Sequence, residues 1–256
     1  MRNNQAIPTV DRMQALGTQI TPPTGSALWA RVFAAIYDAS VWNGERRGVR
    51  AMRTELLGHA RGRTVEIGAG TGLNVPHYPG GLRDLILTEP DPAMRSRLAT
   101  KLRRSGRPAR VVDAPAEQLP FEDGSVDTVV STYVLCTVDA PDFVLEEIAR
   151  VLRPDGQLLF IEHVRSQSAI LASWQDRLAR PWRRFARGCR CNRATAELIA
   201  ACGLEFENLR ESSWRGMPPI VRPLITGRAR PRVAVHEGAA ADKQPIRSAS
   251  PVGSRR

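Results

Sequence analysis

The stretch Thr64-Val65-Glu66-Ile67-Gly68-Ala69-Gly70-Thr71-Gly72-Leu73-Asn74 constrains this chain more than any other. An apolar strand runs into three glycines at alternate positions, and the pattern predicts a helix after them. Glycine is required where backbone takes positive φ or lies directly against a ligand. A helix beginning there adds unpaired N–H groups and partial positive charge. A nucleotide-like cofactor can therefore sit on this turn.

The spacing narrows the choice of cofactor. The dinucleotide fingerprint G-x-G-x-x-G uses its last glycine to bring helix against strand. Here Gly72 comes early and Leu73 occupies the place of that last glycine. No lysine follows, which removes the phosphate-loop pattern. Glu66 stands two residues before the first glycine, where a carboxylate repels a pyrophosphate and suits a cationic amino-acid group. A tight turn without a ligand is the bland alternative, and a second acid argues against it. Asp84-Leu85-Ile86-Leu87-Thr88-Glu89 reads as a buried strand ending in a carboxylate. Glu89 follows the turn at close to the ~20-residue separation of a ribose-binding acid. Pro90-Asp91-Pro92-Ala93-Met94 then starts a helix, with Asp91 as its cap and Met94 placed to lie on an adenine.

This E-x-G-x-G-x-G resembles the first motif of the S-adenosylmethionine-dependent methyltransferases. The resemblance implies an α/β class: a Rossmann-like seven-stranded, mostly parallel sheet with helices on both faces and an antiparallel last strand. It implies S-adenosyl-L-methionine held by Glu66, Gly68, Ala69, Gly70, Gly72, Asn74, Glu89, Pro90 and Met94. Ala116 and Glu117, after a third strand at Arg110-Val111-Val112-Asp113, would follow the adenine edge. Thr132 follows a fourth strand, Val126 to Ser131, whose end faces the transferred methyl in that fold. A first helix from Ser26 would close over the cofactor, with Tyr37 facing the methyl; core cover on the sheet is the alternative. A second helix is expected over 45–57, a turn at Arg153-Pro154-Asp155-Gly156, and the last two strands at Leu204 to Glu211 and Ile220 to Gly227.

Segments outside the cofactor motifs carry a closer resemblance. Val134-Leu135-Cys136, Val151-Leu152-Arg153-Pro154, Glu162-His163-Val164, Ser173-Trp174, Arg187-Gly188-Cys189 and Val221-Arg222-Pro223-Leu224-Ile225-Thr226-Gly227 look like the methyltransferase-like-seven family. Animal members of that family methylate thiols. The chain is also similar to the ubiquinone/menaquinone methyltransferases and to soluble bacterial phosphatidylethanolamine N-methyltransferases. The implied function is methyl transfer to a small apolar acceptor, a thiol first. Phospholipid amine methylation is the alternative, and a non-catalytic or RNA-associated module the third. His163, near the end of a fifth strand from Gln157 to Val164, is the candidate catalytic base, because an imidazole titrates near neutrality. A structural hydrogen-bonding role is its other reading. After the fourth strand stands Thr132-Tyr133-Val134-Leu135-Cys136. Neither the Asn/Asp-Pro-Pro-aromatic sequence of adenine methyltransferases nor the Pro-Cys of cytosine-5 enzymes is there, so no DNA partner is expected.

At 256 residues the chain can hold one α/β domain with extensions. The boundaries drawn are a flexible segment 1–25, the methyltransferase domain 26–230 and a disordered tail 231–256 rich in Ala, Pro, Ser and Arg. The net charge of +11 looks like a nucleic-acid signal. It is almost all arginine, Lys101 and Lys243 being the only lysines, a skew that GC-rich coding produces without selection for phosphate. Cys189-x-Cys191 lacks a second ligand pair, so no metal is expected. Without an apolar leader or a membrane-length run, a cytoplasmic protein is the default. Residues 165–193 form an insertion in which Trp174, Leu178, Pro181, Trp182 and Phe185 alternate with Arg177, Arg180, Arg183, Arg184, Arg187 and Arg190. A lid over the substrate pocket with arginines in solvent is preferred. Peripheral membrane contact through 174–190 is the second reading.

Overall fold

Residues 26–232 are described in a computed structural model, and the segments assigned above to 1–25 and to the tail from 233 lie outside the described residues. The centre is a seven-stranded sheet in the order β3-β2-β1-β4-β5-β7-β6. Its strands are β1 (Arg63–Ile67), β2 (Asp84–Thr88), β3 (Arg110–Val112), β4 (Val126–Thr132), β5 (Leu152–His163), β6 (Leu204–Ser213) and β7 (Pro223–Pro231). β1 pairs in parallel with both β2 and β4, so the strand order reverses between them. β7 runs antiparallel to both β5 and β6, which completes the expected Rossmann-like sheet. An open α/β sheet binds its ligand at the carboxyl ends of strands beside such a reversal.

The strands are near-continuous apolar runs because both faces are covered. Alternate side chains feed two cores. Val65, Ile67, Ile86, Val129, Leu158 and Phe160 serve one, and Leu85, Leu87, Val130, Leu159 and Ile161 the other. The helices are α1 (Ala27–Gly44), α2 (Arg50–Leu57), α3 (Pro92–Ser105), α4 (Pro141–Val151), α5 (Ala169–Phe185) and α6 (Thr195–Ala201). The caps follow the sequence. Ser26 accepts from the Trp29 N–H at 3.2 Å, and Asp91 accepts from Ala93 and Met94 at 2.8 and 3.0 Å.

Four expectations need correction. The glycine turn is followed not by an α-helix but by one 3₁₀ turn, Val75–His77. Pro76 and Pro79 remove backbone donors and Gly80-Gly81 adds entropy cost, so no longer helix can form there. The helix expected over 45–57 is broken: Glu45–Val49 is π-helical and kinks at Gly48, φ 138°, before α2 begins. The Arg153-to-Gly156 turn lies inside β5 as a bulge, since Val126 pairs with Leu152 but Thr128 pairs with Gln157. Ile220 belongs to a 3₁₀ turn, Pro219–Val221, and the last strand begins only at Pro223.

Candidate active site

A cavity of about 580 Å³ opens at the carboxyl ends of β1, β2, β4 and β5. That is within the usual range for a small-molecule site. Its floor is laid by Gly68 and Gly70 after β1, Glu89-Pro90-Asp91 after β2, and Pro115-Ala116-Glu117 after β3. Thr132-Tyr133-Val134 and Cys136 after β4, and His163 at the end of β5, complete it. Met94 enters from α3. The roof comes from Phe33, Tyr37 and Val41 of α1, Trp182 and Phe185 of α5, and Trp214, Met217 and Pro218 between β6 and β7. A wider depression of about 1070 Å³ between α1 and α3 reaches none of the glycine turn.

The three motif glycines do different work. All have positive φ: 53° at Gly68, 57° at Gly70 and 83° at Gly72. A Cβ at Gly68 would stand 2.7 Å from Val134 Cγ2, and one at Gly72 2.7 Å from Leu98 Cδ1. At Gly70 it would meet nothing nearer than 4.0 Å, so the bare face of the turn looks into open cavity. Glu89 braces this turn from the tip of β2. Its carboxylate accepts the Gly70 N–H at 2.7 Å and the Asp91 N–H at 2.8 Å, and burial pushes its pKa up to about 7.

Of the residues predicted to hold the cofactor, Tyr37, Gly68, Gly70, Glu89, Pro90, Met94, Ala116, Glu117 and Thr132 line the cavity. Glu66, Ala69, Gly72 and Asn74 are placed behind it. Glu66 is 3% exposed; its two oxygens accept from Asn74 Nδ2 at 2.8 Å and the Tyr78 hydroxyl at 2.7 Å. Burial pushes this carboxyl up to about 7 against the pull of those bonds. Asn74 also donates to Thr132 Oγ1 at 3.0 Å and accepts from Arg53 at 2.6 Å, and Arg53 forks onto Glu45. Glu66 therefore anchors the loop that carries the turn. Ala69 and Gly72 close the turn through backbone bonds, Ala69 N–H to Thr88 O and Gly72 N–H to Ala69 O, both 2.9 Å.

α1 is latched over the site. Asp38 accepts from Thr71 Oγ1 at 2.5 Å and pairs with Lys101 of α3 at 2.9 Å. This brings Tyr37 onto the roof, and burial raises its pKa. The insertion contributes only part of its aromatic face: Trp182 and Phe185 line the cavity, whereas Trp174 and Leu178 are exposed. Nor are its arginines all in solvent. Arg183 and Arg190 both pair with Asp139, and the buried Arg187 meets the buried Asp91 at 2.6 Å, tying the segment after α5 to the β2 tip.

The wall opposite the turn was the least visible from sequence. Tyr133 takes φ 60°, an uncommon conformation for a bulky residue. Its ring stacks on Trp214 at 4.7 Å and on His163 at 4.7 Å, with Arg53 over it at 5.5 Å. Glu162 holds this loop: its carboxylate accepts from Ser131 Oγ and from the N–H groups of Val134, Leu135 and Cys136. His163 Nδ1 lies 3.3 Å from Cys136 Sγ and 3.7 Å from Cys189 Sγ, while its Nε2 is buried without a partner. The thiols of Cys136 and Cys189 thus converge on one imidazole nitrogen. The ligand-forming atoms of Cys136, His163 and Cys189 lie within 4.8 Å of one another, a cluster that the C-x-C spacing did not disclose. Hydrogen bonding from Cys136 holds the Cys189 thiol well below its usual pKa, and burial pushes Cys136 up.

A sheet of this order, with acids and a glycine turn at its strand tips, defines a Rossmann-like nucleoside-cofactor fold. The methyltransferase domain family model matches residues 65–160. Human thiol S-methyltransferase TMT1B is 34% identical over 193 residues, covering 71% of this chain and 77% of that protein. The phosphatidylethanolamine N-methyltransferase of Cereibacter sphaeroides is 33% identical over 153 residues, 57% of this chain and 72% of that one. A methyltransferase structure from Thermotoga maritima superposes with TM-score 0.58 at 23% identity, covering 79% of this chain and 97% of its own. The chain belongs to the class I S-adenosylmethionine-dependent methyltransferases.

Proposed function

We propose that the chain transfers the methyl group of S-adenosylmethionine to the thiol of a small apolar molecule held in the 580 Å³ cavity. The observation that carries this reading is the wall opposite the glycine turn: His163, flanked by Cys136 and Cys189 and stacked on Tyr133, faces a pocket roofed mostly by aromatic and apolar side chains. The relatives named thiol S-methyltransferases support it.

The residues present fit the cofactor. The open face of Gly70 lets a ligand lie on backbone. Each Glu89 oxygen accepts one backbone N–H and keeps lone-pair capacity for a ribose hydroxyl. Met94, Ala116 and Glu117 would border the adenine, Gly68 and Thr132 the methionine part, and Tyr37 the methyl from above. When bound, this cofactor supplies an electrophilic methyl on a sulfonium that leaves as a neutral thioether. The protein's own task is to align the acceptor sulfur and to remove its proton. His163, which lines the cavity, is the imidazole suited to take that proton, with Nδ1 turned to the two thiols and Nε2 left without a partner.

A labelled-methyl assay over thiols, phenols, amines, phospholipids and RNA tests the acceptor, and label in apolar thiols is expected. His163→Ala should lose roughly 10²–10⁴-fold in rate near neutrality. Unchanged turnover across pH removes the base assignment. Methylation of a phospholipid amine is the second reading, favoured by the C. sphaeroides relative, and label in dispersed phosphatidylethanolamine alone would establish it.

A further inference from the structure

Most of the large apolar side chains exposed among the described residues lie on α1 and α5. On α1 they are Leu28, Val32 and Ile36, four residues apart; on α5, Ile170, Trp174 and Leu178 repeat the same spacing. Residues at that spacing form one stripe along a helix. Ile170 is 76% exposed, Leu28 71% and Trp174 50%, so half or more of each of these side chains lies in water. Trp29 joins the two helices, with its ring 5.8 Å from Phe185 and 6.1 Å from Phe33. Phe185 is at once half-exposed and part of the cavity wall. The apolar surface therefore runs up to the rim of the pocket. A monomer rarely leaves apolar stripes of this kind in water unless something covers them.

The charges beside the stripes point to the partner. Arg31 on α1 and Arg177, Arg180 and Arg184 on α5 are exposed. None of them forms an ion pair with an acid among the described residues, unlike Arg165, Arg183, Arg187 and Arg190. Arg177 lies over the Trp174 ring at 5.4 Å, the posture of a cation held at an aromatic interface. The only acid on α5, Asp176, is engaged by Arg165. An amphipathic helix with aromatic and aliphatic residues on one face and arginines at its border seats in the headgroup region of an anionic bilayer. No helix among the described residues is long and apolar enough to cross one.

We infer that α1 and α5 form a docking face for an anionic lipid surface, with the cavity rim turned toward the bilayer. An apolar acceptor dissolved in lipid would then enter between Phe33 and Phe185 without crossing water. The docking needs neither cofactor nor acceptor, so it stands or falls apart from the methyl-transfer reading.

Flotation of the full chain with phosphatidylcholine vesicles containing phosphatidylglycerol tests this. Binding is expected, weakening as salt rises. Arg177→Gln, Arg180→Gln and Arg184→Gln should each lower the partition constant by roughly fivefold. Ile170→Asp with Trp174→Asp, residues remote from the cavity wall, should abolish flotation and leave the far-ultraviolet dichroism and transfer to a water-soluble thiol unchanged. Absence of vesicle binding by the wild-type chain overturns the inference. So does a concentration-dependent dimer that the Ile170→Asp/Trp174→Asp pair dissociates while vesicle binding persists, which assigns the face to a second copy.

Discussion

Alanine at Gly70 and alanine at Gly68 are neighbouring changes with opposite expected signatures. Gly70→Ala carries the left-handed backbone penalty, roughly 1–2 kcal/mol, and adds a Cβ that touches nothing nearer than 4.0 Å. At about 2–4 °C per kcal/mol for a domain of this size, the apo protein should melt about 2–8 °C lower. Gly68→Ala carries the same penalty and also drives its Cβ to 2.7 Å from Val134 Cγ2. Overpacking of that kind adds roughly 1–3 kcal/mol, so about 2–5 kcal/mol is lost in all. Cofactor affinity orders the pair the other way relative to stability. The Gly70 methyl protrudes where the nucleoside lies on the turn, and titration calorimetry should show Kd weakened by about tenfold or more, ~1.4 kcal/mol. Scanning calorimetry with and without cofactor should show stabilisation of wild type and much less of Gly70→Ala. A Gly70→Ala protein that binds the cofactor with wild-type Kd refutes the assignment of this turn as the cofactor bed.

Glu66 and Glu89, both raised to about 7 by burial, bind protons in the folded chain that an unfolded chain near the usual carboxylate range releases. The apo protein should therefore lose stability as pH rises from about 4.5 to 7, and Glu66→Gln should flatten part of that slope in pH-dependent melts. Cofactor binding that draws ribose hydroxyls onto ionised Glu89 should weaken below about pH 7, by up to about tenfold per unit, and Glu89→Gln should lack this dependence. Arg187→Ala leaves the buried Asp91 charge without its partner and should cost about 3–5 kcal/mol in denaturant unfolding, with a raised KM for acceptor. Glu162→Gln turns an amide N–H toward a backbone donor beneath Cys136 and should cost about 1–3 kcal/mol.

The sheet and the acid at the tip of β2 were legible because their signals are local. Asp84 to Glu89 is one apolar run ending in one acid, and Glu89 sits on the cavity floor as its spacing implied. The missing helix after the turn was also written in Pro76 and Pro79, whose cost the glycine pattern overshadowed. Of the wall opposite the turn only His163 was legible, for a physical reason. Cys136, His163 and Cys189 arrive from the β4 loop, the end of β5 and the segment after α5, and Trp214 from the β6–β7 loop. Their meeting depends on how strands pair and on the left-handed turn at Tyr133, neither of which has a periodic signature. Glu66 was legible only in part. Its position beside the glycines suggested a ligand contact, and the two donors that hold it, Tyr78 and Asn74, lie downstream with no spacing that announces them.

The most direct measurement is mass spectrometry of the products formed in one mixture containing the purified chain, S-adenosylmethionine, an apolar thiol and dispersed phosphatidylethanolamine. A methyl thioether as the dominant product, formed by wild type and suppressed in His163→Ala, is the predicted result. A methylated headgroup amine with no thioether would contradict the account.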